Sequence, residues 1–257
     1  SYGNQWFASS GAGEFYDHQI QHSMRFDRPD NTYLSRTPST ASSQTKWSIS
    51  FWHKCTQPNA YIGNSSYYHQ WWWATVSNND SILLQYTADD HYYFQVGGQA
   101  EYPSGHFRDT GGWTHWLYVF DKDNGTDSNR RRVYVNGIEH SNELEQSQSN
   151  SSSTNSASVH YIGRRGDNNS GYHADGYIAQ FLLVDNLVLT PSDVTDTKND
   201  IVIPKDVSGL TFGTNGFLLE FGDASDLGND TSGNNNDWSV SNAGTDHQSL
   251  ESPTFGS

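Results

Sequence analysis

The sequence predicts an all-β protein with many short strands and minimal helix. Several segments alternate apolar and polar residues or stay apolar over a few positions, as strands do, and Gly or Asn stands where the chain must turn. The 23 glycines among 257 residues fit many turns. Only 33% of the residues are hydrophobic, but 14% are aromatic, and such large rings fill a core with few residues.

Residues 1–23 are polar and rich in Gly and Ser, and we expect them to form an extended N-terminal arm that reaches a neighbouring subunit. The strand-like segments after them recur without a clear linker. Residues 24–257 are therefore expected to form a single domain, although the length alone would also allow two smaller ones.

The first half of this domain contains two clear strand patterns. Trp47, Ile49 and Phe51 alternate with serines and are expected on the core face of one strand. Residues 82–86 and 92–96 are two further runs of this kind, and together they predict a hairpin.

The second half is predicted to contain strands at residues 112–121, 132–137, 161–164, 175–184, 201–203 and 217–221. Thr190 supplies an N-cap hydroxyl and Pro191 a favoured first helical residue, which predicts a single helical turn. Residues 141–157 are almost all Ser, Asn, Gln and Glu, so we expect a solvated loop there.

Four motifs occur in a fixed order: W-x-H-W-x-x-V-x-D at residues 113–121, V-Y-V-N-G at 133–137, Y-I-G-R at 161–164 and G-x-I-x-x-x-x-L at 176–183. This order resembles the concanavalin A-like, laminin-G-like jelly rolls. The resemblance implies a β-sandwich of two antiparallel sheets. It also implies a protein that binds glycans or presents a surface, since a minority of such domains are glycoside hydrolases.

The motif D-x-S-G-N-x-N-D at residues 230–237 resembles a segment that usually opens such domains, but here it comes last. The resemblance therefore implies a permuted strand order. Because domain termini often lie close together, we expect residues 217–238 to pack beside residues 24–35.

A narrower resemblance covers most of the chain. The patterns S-x-R-F at residues 23–26 and Y-L-S-R-T-P-S at residues 33–39 resemble those of structural proteins of tailed, often marine, bacteriophages. This resemblance implies a location on the surface of a virion.

The composition excludes some partners. The formal net charge of −15 argues against nucleic acid, because neutralising phosphates needs clustered Lys and Arg. No apolar run is long enough to insert into a membrane. Cys55 is the single cysteine, so the fold does not depend on an intrachain disulfide.

No catalytic residues are predicted. Jelly-roll glycosidases carry carboxylates at alternate positions of one strand, and retaining hydrolysis needs two carboxyl groups about 5 Å apart. Glu143 and Glu145 have a suitable spacing but lie in the polar loop, and Glu220 and Asp223 lack a third partner. We therefore expect that the protein is not an enzyme.

A structural Ca²⁺ is the one candidate cofactor. The resemblance to laminin-G-like domains implies Asp230, Asn234 and Asn236 as candidate ligands. Ala179 stands where such domains carry a further Asp ligand, and Ca²⁺ takes about six to eight oxygens. The oxygen-rich residues 121–127 are interpreted as a hairpin turn.

The most distinctive local feature is the cluster of Tyr68 and the three tryptophans Trp71, Trp72 and Trp73. In a strand, Trp71 and Trp73 would face one side and Trp72 the other. One side is expected to be core. The other side is either a subunit interface or a platform on which sugar rings stack.

Arg164 and Arg165 follow the Y-I-G strand, where a loop edge is expected. Arginine binds acidic sugars through paired hydrogen bonds, but it also pairs with the carboxylates that are plentiful in this chain. Together with the aromatic cluster, these arginines are candidates for a glycan-binding or interface site.

These observations lead to three functional hypotheses. The leading one is a non-enzymatic virion surface protein, a head decoration or a tail or fibre component, that forms a homo-oligomer, expected to be a trimer. Its partners would be other virion proteins and host-surface glycans. The alternative is a dedicated carbohydrate-binding adhesin that recognises a host receptor. The least favoured is a polysaccharide-degrading enzyme, and the fold alone does not choose among the three.

Overall fold

A computed structural model describes residues 15–56, 68–76, 79–86, 91–101, 107, 109–140, 148–167 and 170–254. Its strands are β1 (Ser23–Phe26), β2 (Tyr33–Arg36), β3 (Lys46–Lys54), β4 (His69–Thr75), β5 (Asn79–Tyr86), β6 (His91–Val96), β7 (Gln99–Glu101), β8 (Thr114–Asp121), β9 (Arg131–Val135), β10 (Ile138–Glu139), β11 (His160–Ile162), β12 (Gly176–Asp185), β13 (Thr195–Lys198), β14 (Ile201–Pro204), β15 (Phe217–Leu219), β16 (Ser239–Ser241) and β17 (Gln248–Ser249).

These strands form two large antiparallel sheets. Sheet I has the order β10-β9-β8-β3-β12-β1-β17, and β15 also pairs with β12. Sheet II has the order β16-β2-β11-β4-β5-β6-β7. Helix in the described residues is limited to α1 (Pro191–Val194) and three short 3₁₀ turns. The predicted all-β jelly-roll sandwich with minimal helix is confirmed.

The inner faces of the two sheets meet in one aromatic core. Trp47, Ile49 and Phe51 of β3 are all fully buried there, as predicted from their alternation. The ring of Phe51 stacks on that of Phe181 from β12, with centroids 5.0 Å apart. The predicted hairpin is also confirmed, since β5 pairs antiparallel with β6.

The outer face of sheet I is covered by residues 186–212, which include α1 and the small hairpin of β13 and β14. This layer buries a second apolar cluster formed by Leu117, Val119, Tyr134, Leu182, Val184, Leu189, Val194, Val207, Phe212 and Leu218. The predicted helical turn is present, and the backbone N–H of Thr190 donates to Asp193 Oδ2 at 2.7 Å. The outer face of sheet I is therefore largely closed by the chain itself.

None of the described helices is long and apolar enough to cross a membrane.

Residues 152–156 are buried, which corrects the prediction of a solvated loop for this part of residues 141–157, whereas residues 149–151 are exposed as predicted. Ser152 and Thr154 are both buried. The Ser152 hydroxyl accepts a hydrogen bond from Trp47 Nε1 at 2.8 Å, and the Thr154 hydroxyl accepts one from Trp72 Nε1 at 2.9 Å. Because polar groups can be buried when they are hydrogen-bonded, this segment fits between the two sheets. Residues 141–147 lie outside the described part of the chain.

The two ends of the domain meet, as the permuted strand order requires. β16 follows directly after Trp238 and pairs with β2, and β17 pairs with β1. Phe217 and Trp238 share one core cluster with Phe26 and Leu34, as the expected proximity of residues 217–238 to residues 24–35 predicts. Of the predicted arm, residues 15–23 are described, and Ile20 is buried with both its backbone N–H and C=O bonded to the Thr254 hydroxyl. A reach to a neighbouring subunit stays a prediction.

Candidate functional site

Three aromatic residues share the outer face of sheet II, on adjacent strands. Tyr161 of β11 lies opposite Trp73 of β4 in the strand register. On the other side of β11, the Tyr33 ring of β2 lies 6.0 Å from the Tyr161 ring. The neighbours Leu34 and Ile162 are fully buried in the core, so the pleat of the strands directs these three aromatic rings outward.

The loop that follows β11 brings two arginines onto these rings. The guanidinium carbon of Arg164 lies 4.2 Å from the centre of the Tyr33 ring and 4.5 Å from that of Tyr161. The guanidinium carbon of Arg165 lies 5.9 Å from the Trp73 ring. These distances are within the range of cation–π attraction.

Two further tyrosines lie next to this loop: Tyr172 at its far end, and Tyr68, which directly precedes β4. Arg165 lies 3.6 Å from the centre of the Tyr172 ring, and the rings of Tyr172 and Tyr68 are 4.6 Å apart. We call the whole set the aromatic–arginine surface; its members are Tyr33, Tyr68, Trp73, Tyr161, Arg164, Arg165 and Tyr172. All but Trp73, which is 8% exposed, are partly accessible to solvent.

The backbone of this loop is fixed at several points. Ala174 N–H donates to Gly163 C=O at 2.8 Å, and Tyr68 N–H donates to Gly171 C=O at 2.7 Å. A Cβ atom on Gly166 would come within 2.7 Å of Trp73 Nε1. Glycine therefore allows the loop to lie close over the indole.

One arginine of this surface forms an ion pair with a neighbouring carboxylate. Asp167 Oδ1 accepts a hydrogen bond from Arg165 Nε at 2.9 Å, and this carboxylate raises the pKa of Arg165. Burial and the nearby charge of Arg164 lower the pKa of His173, which therefore favours its neutral form. The guanidinium groups, rather than histidine, supply the permanent charge.

Two of the predicted tryptophans are not at this surface. Trp71 is fully buried and Trp72 is 1% exposed, and both belong to the core between the sheets. The register of β4 against β5 shifts between Gln70 and Trp72, and such a bulge changes which side consecutive residues face. The prediction that Trp71 and Trp72 face opposite sides of the sheet is therefore wrong. Both indoles lie in the core, and neither offers a stacking face to solvent.

The structure brings together the other predicted residues, Tyr68, Trp73, Arg164 and Arg165. Sequence reasoning did not identify Tyr33, Tyr161 and Tyr172 as members of the site. Strand alternation could have predicted that Tyr33 and Tyr161 face outward, because each directly precedes a buried aliphatic residue in a strand. No local pattern marks Tyr172, whose position depends on how the loop folds back.

Comparison with known proteins agrees with this architecture. The sequence model of the concanavalin A-like lectin/glucanase superfamily, of the laminin G type, matches residues 29–195. The chain belongs to this superfamily. The comparison with curated proteins finds no relative with significant sequence similarity.

Several solved structures are similar to this chain. A candidate carbohydrate-binding protein from Bacteroides ovatus is 13% identical with a TM-score of 0.54, and the match covers 87% of this chain and 58% of that one. The heptameric pentraxin of Limulus polyphemus is 16% identical with a TM-score of 0.48, covering 67% and 80%. Mouse laminin α1 domains LG4-5 are 12% identical with a TM-score of 0.44, covering 68% and 47%. At these identities the likeness concerns the fold alone.

The predicted calcium ligands of this concanavalin A-like domain do lie together, around the turn at residues 213–216. Asn234 Nδ2 donates to Gly216 C=O at 2.9 Å, and Asn236 Nδ2 donates to the same oxygen at 2.8 Å. Asp230 Oδ1 accepts from the backbone N–H groups of Leu218 and Ser232. Asp230 is thus the acceptor that organises the loop.

These contacts leave little room for a metal ion. The second oxygen of Asp230, Oδ2, accepts from Ser232 Oγ at 2.9 Å and from Asn236 N–H at 2.8 Å, so the carboxylate has about four donors for its roughly four acceptor positions. Arg36 donates to the side-chain oxygen of Asn236. The side-chain oxygens of Asp230 and Asn236 are thus already engaged as hydrogen-bond acceptors, and the residues do not fit calcium.

The carboxylates considered for catalysis have local partners. Glu220 Oε2 accepts a hydrogen bond from Thr231 Oγ1 at 2.7 Å, and Asp223 Oδ1 accepts one from Ser225 Oγ at 2.6 Å. The hydrogen bonds from Ser225 lower the pKa of Asp223. Glu143 and Glu145 lie outside the described residues. Within the described part of the chain, no group of three or more His, Cys, Asp or Glu side chains is arranged to hold a metal ion.

Proposed function

We propose that this chain is a carbohydrate-binding domain and that the aromatic–arginine surface is its binding site. The observation that carries the proposal is the stacking of two guanidinium groups on tyrosine rings at a partly exposed face of sheet II. A stacked guanidinium is held in one orientation, so its N–H donors lose little conformational freedom when they bind a sugar hydroxyl or carboxylate.

Membership of a superfamily that includes lectins supports this proposal. So does the arrangement of the two outer faces. Residues 186–212 cover sheet I with an apolar layer, whereas the aromatic–arginine surface leaves planar groups accessible on sheet II. Exposed aromatic groups of this kind commonly mark binding sites.

The role that we propose for the whole protein is non-enzymatic and on the surface of a virion, as a head decoration or as a tail or fibre component. This part rests on the sequence patterns at residues 23–26 and 33–39. The domain would contact other virion proteins, form a trimer and bind host-surface glycans. A dedicated host-receptor adhesin is the second candidate, and the arginines of the surface favour it.

The binding site is tested with an array of bacterial surface polysaccharides. We expect the wild-type protein to bind at least one of them, and the double variant Arg164→Gln with Arg165→Gln to bind it at least about tenfold more weakly. Arg25→Gln is the matched control, because Arg25 is 51% exposed on β1 and has the same charge. If the double variant binds the polysaccharide as tightly as the wild type does, the aromatic–arginine surface is not the binding site.

The remaining parts of the proposal have separate tests. Incubation of the bound polysaccharide with the protein should release no new reducing ends, and their appearance would show an enzyme. Light scattering of the purified chain should give the mass of a trimer. A strictly monomeric protein would contradict the proposed assembly without affecting the binding site.

A further inference from the structure

Strand β12 has an unusual neighbour arrangement along one edge. β3 pairs with one edge from Tyr177 to Asp185. On the other edge, β1 pairs with residues 176–178 and β15 pairs with residues 181–183. The two neighbouring strands therefore part at Ala179 and Gln180, and an opening is left in the sheet between them.

The backbone at this opening is held in an unfavourable conformation. Ten described residues other than glycine have a positive φ, and eight of them are Asn or Asp, which tolerate this conformation. The two exceptions are Gln180, with φ 47°, and Phe221, with φ 57°. Both lie at the same opening, because Phe221 follows β15 by two residues. Strained residues that persist in this way often serve a binding site.

A cavity of about 280 Å³ occupies the opening. Its lining consists of Gln19, Ile20, Gln21, His22, Gln180, Glu220 and Gly222. Along this edge, the pairing of Phe181 with Leu219 leads on to Glu220, which directly follows β15. The pairing of Ile178 with Met24 leads back toward His22, which directly precedes β1, so Glu220 and His22 stand at the two strand ends beside Gln180. An amide, a carboxylate and an imidazole therefore converge on one small space.

The walls of this cavity are fixed. Gln180 is 3% exposed, and its amide nitrogen donates to Lys205 C=O at 3.3 Å. Thr231 holds the Glu220 carboxylate by the hydrogen bond described above. The wall before β1 is held by Ile20, whose backbone N–H and C=O both bond to Thr254. The amide of Gln180 and the carboxylate of Glu220 are thus oriented before any ligand arrives.

We propose that this cavity binds a single neutral sugar residue. Amide, carboxylate and imidazole groups donate to and accept from neighbouring hydroxyls, and Ile20 provides an apolar contact for the ring carbons. The Glu220 carboxylate and the net charge of −15 disfavour an anionic ligand. The volume lies near the lower limit of roughly 300 Å³ for small-molecule sites, which favours one ring over a longer chain.

This site is separate from the aromatic–arginine surface, because it opens from sheet I rather than sheet II. Sugar binding in this cavity goes beyond the proposed function, because either site could bind its ligand without the other. The test is saturation-transfer NMR with glucose, galactose, mannose and N-acetylglucosamine. We expect transfer from the wild-type protein to at least one of the four sugars.

Two variants decide where that sugar binds. Gln180→Gly removes the amide while glycine accepts the positive φ without strain, and Glu220→Gln removes only the charge. We expect the transfer to be lost in the first and reduced several-fold in the second. Glu139→Gln, on the exposed edge strand β10, is the matched control and should behave as the wild type.

The surface variant Arg164→Gln with Arg165→Gln should keep the transfer, which separates this site from the proposed glycan surface. The proposal is overturned when none of the four sugars receives saturation. It is equally overturned when transfer persists unchanged in Glu220→Gln and Gln180→Gly. Should Gln180→Gly not fold, the comparison of Glu220→Gln with Glu139→Gln decides the question alone.

Discussion

The guanidinium carbon of Arg165 lies 3.6 Å from the centre of the Tyr172 ring, while Asp167 accepts hydrogen bonds from the same guanidinium. The ring contact and the carboxylate together restrict the positions that the guanidinium can take. Arg165 is consequently oriented by its neighbours and not by a ligand.

Replacement of Tyr172 should therefore weaken glycan binding without unfolding the domain. An exposed cation–π contact contributes about 0.5–1 kcal/mol, so Tyr172→Ala should raise the dissociation constant roughly two- to fivefold. Titration calorimetry with a glycan that the wild type binds measures this change. Tyr172→Phe keeps the ring but loses the hydroxyl, which also interacts with Arg165, so it should bind with an affinity between those of the wild type and Tyr172→Ala. An unchanged dissociation constant in Tyr172→Ala would mean that the stack does not prepare Arg165 for binding.

Trp72 should behave as a core residue. Its indole is 1% exposed and donates to the buried Thr154 hydroxyl. We expect Trp72→Ala to lower the free energy of unfolding by about 3–5 kcal/mol, because a large cavity remains. Trp72→Phe should cost about 1–3 kcal/mol, because Thr154 loses its donor. Urea unfolding gives both values. Trp113 is partly exposed, so Trp113→Ala should lower the free energy of unfolding by less than Trp72→Ala does. An equal loss in the two variants would contradict the core position of Trp72.

Asp80 should make the protein less stable as the pH rises from acid to neutral. Burial raises the pKa of Asp80, although hydrogen bonds from Ser152, Gly97 and Thr154 oppose this effect. The folded state therefore binds the proton more tightly than the unfolded state. The contribution of Asp80 to stability is greatest below its ordinary pKa and is lost as the pH rises toward the raised pKa.

Other groups titrate in the same range, so the measurement is a comparison with Asp80→Asn, which cannot ionise. Urea unfolding at about pH 4 and about pH 7 should show the wild type losing stability relative to this variant at the higher pH. If the difference in the free energy of unfolding between the two proteins stays constant with pH, the pKa of Asp80 is the same in the folded and the unfolded state.

Calcium should have no effect on thermal stability. The oxygens of Asp230 are occupied by hydrogen-bond donors, and the carboxylates of Asp230 and Asp237 face the guanidinium of Arg36. We expect the same melting temperature with added Ca²⁺ and with a chelator. Arg36→Gln should lower stability by about 1.5–3 kcal/mol, the range for hydrogen bonds to charged groups, whereas Arg25→Gln should have little effect. A clear rise of the wild-type melting temperature with Ca²⁺ would restore the calcium hypothesis.

The strands were predictable where the pattern that defines them is local. Trp47, Ile49 and Phe51 alternate with serines, and both periodicity and burial follow from those few residues. The burial of residues 152–156 was not predictable in this way. Its hydrogen-bond partners, Trp72 and Asp80, lie more than seventy positions away, and a Ser-rich segment with such partners looks the same in sequence as one facing water.

The candidate site was predictable in part for the same reason. Arg164 and Arg165 were identified because they directly follow a strand, and a strand end is a local feature. The core position of Trp71 and Trp72 depends on a bulge in β4, which the alternation rule does not anticipate. No sequence pattern predicted a site at Gln180, because its left-handed backbone lies where β1 and β15 share one edge of β12.

The position of β12 has a consequence for the synthesis of the chain on the ribosome. Among the described strands, β1 pairs only with β12 and β17, so it waits for about 150 further residues before either partner exists. β3 likewise gains its second neighbour only when β12 is translated. Pairing between strands so distant in sequence is slow, and the nascent chain carries unsatisfied strand edges for most of its translation. Molecular chaperones that shield such edges should therefore raise the yield of folded protein more than a lower growth temperature does.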